Sequence, residues 1–145
     1  MRFSLSSLFV PLACVASALA QASVIQLPAS GASIANGAPF TVQVAKPLSH
    51  QGSREAGFVI ALLPCYNNGV CPPPTQELGR ILYNGPYTPT LQDQPGRPYQ
   101  NFEFTMPPAD EIQKGPAQLA TVRLHLFGAT AYPEMEVHSI PITVV

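Results

Sequence analysis

The chain has 145 residues; about a tenth are charged, 17 are proline and none is tryptophan. Seven basic against eight acidic side chains give a net charge of −1, so no basic surface exists for nucleic acid or anionic lipid. Prolines spread at this density break helices and predict a loop-rich β domain.

Residues 1–20 read as a secretory signal peptide. Met1 and Arg2 form a short basic start. Leu5 to Ala16 is an apolar run interrupted only by Ser6, Ser7 and Pro11, and Ala18-Leu19-Ala20 is a small-x-small cleavage site. A second such site, Ala20-Gln21-Ala22, lies two residues on. The apolar run is too short for a span, which takes roughly 20 apolar residues to cross about 30 Å of hydrocarbon. No later stretch is long and apolar enough, so no membrane span is predicted. Cleavage leaves residues 21–145, a single secreted, extracellular domain with six basic and eight acidic side chains. That length buries a real core.

The elements follow in order. Ser23 to Leu27 is a short strand, and Pro28 to Pro39 is a turn region. Phe40, Val42 and Val44 alternate with Thr41, Gln43 and Ala45, the pattern of a half-buried strand. Lys46 to Glu55 is a polar loop. Gly57 to Leu63 is continuously apolar, which predicts a central strand covered on both faces.

Cys14 leaves with the signal peptide, so Cys65 and Cys71 remain as an even pair in an oxidising compartment. Asn68-Gly69 between them is a turn signal that brings the sulfurs together. No metal ligand lies at a sensible spacing, so a disulfide is predicted. Closing so small a loop is worth about 2 kcal/mol, which shapes the loop more than it holds the fold.

Pro72-Pro73-Pro74 is a stiff extended loop. Leu78 to Tyr83 is a strand stopped by Asn84-Gly85-Pro86, and Tyr87 to Pro98 is a long loop. Tyr99 to Met106 alternates, with Phe102, Phe104 and Met106 on one face. Asp110 to Lys114 makes one helical turn. From Leu119 to Phe127 the apolar set Ala120, Val122, Leu124 and Leu126 is expected inward, and Thr121, Arg123 and His125 outward. The last strand runs from about Glu136 to Val145, with Ile140, Ile142 and Val144 inward. About seven strands without a helix predict an immunoglobulin-like or fibronectin-like β-sandwich. It lacks the tryptophan and inter-sheet disulfide of antibody domains.

Catalytic signals are weak. His50 sits in a polar loop. His125 and His138, as cross-strand neighbours, form a metal pair only with help from Glu134 or Glu136; the simpler reading is two outward polar residues. A copper oxygenase of the fungal type needs histidine at the mature N-terminus, where this chain has Gln21 or Ser23. There is no G-x-S-x-G, and nothing selects a catalytic pair among Glu55, Glu77, Asp93, Glu103, Asp110, Glu111, Glu134 and Glu136. No enzyme activity, catalytic residue, cofactor or metal is predicted. Tyr66, Tyr83, Tyr87, Tyr99 and Tyr132 lie in or beside loops. They stack on sugar rings, as in a carbohydrate- or cell-wall-binding module, or else Tyr83 and Tyr99 cap the core at strand ends with their hydroxyls in water. No Asn-x-Ser/Thr sequon occurs.

Several stretches together carry a resemblance. They are Leu78-Gly79-Arg80-Ile81-Leu82-Tyr83-Asn84-Gly85-Pro86-Tyr87, Pro98-Tyr99-Gln100-Asn101-Phe102 and Lys114-Gly115-Pro116-Ala117-Gln118-Leu119. Near the end come His125-Leu126-Phe127-Gly128-Ala129 and Pro133-Glu134-Met135-Glu136. Behind a signal peptide, this series resembles the fungal necrosis-inducing secreted protein family. Within it, Asn84-Gly85 is expected to set a turn, and Gly115 and Gly128 to take unusual backbone angles. The resemblance implies an effector that suppresses plant pattern-triggered immunity by binding a host protein, namely receptor-associated kinases. It implies no catalytic residues.

Overall fold

A computed structural model describes residues 22–46, 52–66, 69–92 and 97–145. The segment expected to be a signal peptide, His50, Asn68 and Asp93 lie outside the described residues. Strand β1 (Val24–Leu27) pairs antiparallel with β3 (Pro39–Ala45), and β3 with β6 (Tyr99–Thr105), forming a three-stranded sheet. The second sheet contains β2 (Ser33–Ile34), β4 (Ser53–Pro64), β5 (Arg80–Gly85), β7 (Gly115–Phe127) and β8 (Tyr132–Val144). Its order is β2-β8-β7-β4-β5, with β2 parallel to β8 and the other pairs antiparallel.

The two sheets share one core, a sandwich-like arrangement. Phe40, Val42, Val44, Phe102 and Met106 come from the smaller sheet side, and Phe58, Ile60, Leu62, Leu119, Ile142 and Val144 from the larger. The predicted inward positions of β3, β6 and β8 are therefore the observed ones. Phe58 organises an aromatic stack, 4.4 Å from the Tyr87 ring and 5.5 Å from Phe102 between centroids. β4 is also covered on its other face at one end, where Ala61 and Leu63 are buried.

Several expectations are corrected. There are eight strands among the described residues, because Ser33–Ile34 adds a short parallel strand inside the predicted turn region. β4 begins at Ser53 and β8 at Tyr132, since each is held in register by β7 beyond its apolar stretch. Asn84-Gly85 forms no turn: both residues pair with β4, opposite Val59 and Phe58. Residues 108–112 make a single turn, with the Glu111 and Ile112 amides donating to the Pro108 carbonyl. Gly115 and Gly128 do take positive φ values, of 136° and 67°.

The largest correction concerns β7. Thr121, Arg123 and His125 face the interior and are buried, whereas Leu124 is 41% exposed. The register explains it. Leu119, Thr121 and Arg123 stand opposite Leu62, Ile60 and Phe58, so they share the core-facing side. The apolar alternation of β7 was real, but its apolar face is the outer one.

Candidate functional site

Inverting β7 gathers charged side chains at one end of the interior. Arg123, 2% exposed, donates from Nε to Glu55 Oε2 at 2.8 Å and from Nη2 to Glu55 Oε1 at 2.7 Å. Its Nη1 reaches Glu136 Oε1 on the neighbouring strand at 3.0 Å, and its Nη2 reaches the Ser53 hydroxyl at 3.3 Å. The smaller sheet closes the cluster from the other side. Lys46, after β3, donates to Glu55 at 2.8 Å; Ser23, before β1, donates its amide and hydroxyl to Glu136 at 3.0 and 2.6 Å. A β-bulge between Glu55 and Gly57 keeps Glu55 on the inner face. The Arg123 guanidinium also lies 5.9 Å from the centroid of the Tyr87 ring.

These contacts fix the ionisation of the cluster. Burial pushes the Glu55 carboxyl up, but hydrogen bonds and charge from Arg123 and Lys46 outweigh it and leave it below its ordinary value of 4.5. Burial likewise opposes Glu136, and the Ser23 hydrogen bonds with Arg123 overcome it, again to below 4.5. Arg123 is held more firmly protonated, since the two carboxylates overcome its own desolvation. Burial pushes the Tyr87 phenol up, and its hydroxyl donates to the Val44 carbonyl at 3.2 Å. Firmly ionised carboxylates, each paired with Arg123, are suited to holding structure and poorly suited to proton transfer near neutrality.

The histidines sit beside this network. His125, 4% exposed, stands opposite Glu134, and His138 opposite Thr121, so they are not direct cross-strand neighbours. His125 Nε2 lies 3.3 Å from Glu136 and 3.7 Å from Glu134, and His138 Nε2 lies 3.8 Å from Glu136. Among the described residues no three His, Cys, Asp or Glu side chains are placed to hold a metal ion. A cleft of about 310 Å³ opens between the bulge and residues 85–88, lined by Glu55 and Tyr87 among others. Its one carboxylate, Glu55, is already occupied by Arg123 and Lys46.

Cys65 and Cys71 form the predicted disulfide, with Cα atoms 4.6 Å apart. The tyrosines do not assemble into one platform. Tyr87, expected in a loop at the surface, is buried against Phe58; Tyr83 packs on the core and donates to the Pro86 carbonyl. Tyr66 and Tyr132 are exposed but lie at opposite ends of β7, near Ala117 and opposite Phe127.

A different surface stands out on the outer side of the larger sheet. The registers place Val59, Val122 and Val137 in one row and Gly57, Leu124 and Met135 in the next. Leu124 and Met135 are 41% and 64% exposed. On the three long strands, Arg54, opposite Leu126, is the single charge of this face. The expected inward Leu124 and a last strand starting near Glu136, with Met135 outside it, do not point to this face. The signal was present as two apolar alternations, on β7 and β8, that pair with each other.

A family model, described as the Nis1 family, matches residues 18–143. No curated protein matches the chain. No helix among the described residues is long and apolar enough to cross a membrane.

Proposed function

Because the chain belongs to the Nis1 family, a fungal effector-like family, we propose that it is a secreted, non-catalytic effector that binds a host protein and suppresses plant pattern-triggered immunity. The observation that carries the binding mode is the nearly charge-free apolar face formed by Val122, Leu124, Met135 and Val137. Contiguous exposed apolar patches on a small domain mark interaction sites. The host target is a receptor-associated kinase, as the family resemblance implies. The Cys65–Cys71 disulfide fits an extracellular route, with residues 1–20 removed on export. The strand orders β1-β3-β6 and β8-β7-β4-β5 support an immunoglobulin-like reading of the sandwich.

The test is a parallel retention assay. The domain from Gln21 onward is presented to plant extract and to insoluble chitin and glucan. Retention of receptor-associated kinases, lost in Leu124→Asp and Met135→Asp, is the expected result. Retention on polysaccharide alone would overturn the reading in favour of a wall-binding module.

A further inference from the structure

On β4 and β7 the outer face of the larger sheet is bare at one end and covered at the other, while Ile81, Ser139 and Pro141 on the flanking strands stay exposed beside the covered end. Moving along β4 and β7 from Leu124, side chains on this face pass from exposed to half-buried at Val59 and Val122 and then to buried at Ala61, Leu63, Gln118 and Ala120. The cover over this end includes the segment from Cys71 to Gly79, which leaves β4 and returns as β5. Gln118 Nε2 donates to the Pro72 carbonyl at 3.4 Å. At the other end of the segment, Gly79 approaches so closely that a Cβ there would sit 2.9 Å from Leu63 Cα. Pro72, Pro74 and Leu78 are half-buried, whereas Thr75, Gln76 and Glu77 face solvent. The cover is thus amphipathic, as a segment lying on an apolar surface must be. Its first residue is tied to the end of β4 by the Cys65–Cys71 bridge, whose two sulfurs lie 3.9 and 3.8 Å from the Leu63 carbonyl.

We propose that the Cys65–Cys71 disulfide is a thiol-controlled latch on this cover. The bridge joins residues six apart and holds Pro72 over Gln118. A low-molecular-weight thiol of the glutathione class, two molecules per bridge, would cleave it. The thiol is oxidised to its own disulfide, and Cys65 and Cys71 each gain a proton as thiols. The core lies on the opposite side of β4 and β7, so the sheets stay together while the segment loses its near anchor. Ala61, Leu63 and Ala120 then extend the apolar face that begins at Val122 and Leu124. The same molecule would present a short apolar face in an oxidising compartment and a longer one in a reducing compartment.

The experiment compares oxidised, thiol-reduced and Cys65→Ala/Cys71→Ala protein by amide exchange, binding of a hydrophobic dye and circular dichroism. The expected result is an unchanged sheet signal, increased dye binding, and exchange over residues 71–79 accelerated roughly tenfold or more, the scale of a lost loop constraint. Gln118→Ala, which removes an anchor and keeps the bridge, should accelerate the same segment by a smaller factor. Unchanged exchange and dye binding in reduced, folded protein would overturn the proposal. So would loss of the sheet signal on reduction, since the bridge would then hold the fold and not the cover. Neither result depends on whether a host protein binds.

Discussion

Arg123 concentrates the electrostatics of the interior in one side chain. It bridges Glu55 on β4 and Glu136 on β8 from the strand between them, so each carboxylate is buried with a partner. Such a network adds little net stability over an apolar core, but removing its centre leaves two buried anions exposed to desolvation. Arg123→Met should therefore cost about 3–5 kcal/mol at neutral pH, measured by urea denaturation. Acid acts on the same groups. Both folded carboxylates titrate below their ordinary 4.5, so their stabilisation is complete above that pH. It is lost as the pH falls from there through the depressed folded values. The wild-type denaturation midpoint should decline over that acid range. In Arg123→Met the decline should be shallower, because burial then acts against ionisation with less opposition. Equal slopes for the two proteins would show that Arg123 does not hold these carboxylates down.

At the scale of elements, the return into β5 is the tightest junction. Gly79 has φ of +72°, and a Cβ there would lie 2.6 Å from the Leu62 carbonyl oxygen. A backbone atom of a central strand cannot step aside. Gly79→Ala should lower stability by at least about 2 kcal/mol, from backbone strain and collision together. Gly37 is the matched control: its φ is +73° but a Cβ would meet nothing within 4 Å. Gly37→Ala should cost only about 1 kcal/mol, the left-handed penalty by itself. Similar losses at the two sites would place the cost in the dihedral and not in the contact with β4. β7 carries the other lesson at this scale. Its alternation of apolar and polar residues is legible in the sequence, but the side that the fold covers is not. The polar side became the inner one because Glu55, Glu136, Lys46 and Ser23 neutralise and hydrogen-bond what it brings inside.

At the scale of the whole molecule, the core and the proposed interaction face are separated by the thickness of one sheet. Leu124→Asp and Met135→Asp therefore leave the core untouched and should change stability by within about 0.5 kcal/mol, the range for surface substitutions. Thermal unfolding alongside the retention assay distinguishes a lost contact from a lost fold.

The β class, the Cys65–Cys71 pairing and the inward faces of β3, β6 and β8 are written in the residue pattern. Strand periodicity and cysteine spacing are local properties of the chain, which is why they can be read there. Three features emerge only when the strands are assembled. Tyr87 is a core residue. His125 and His138 flank Glu136 without facing each other, and Leu124 and Met135 point to solvent. Each depends on which strand lies opposite and which face a second layer covers. Side-chain alternation marks two faces of a strand and carries no record of which one the rest of the chain will bury.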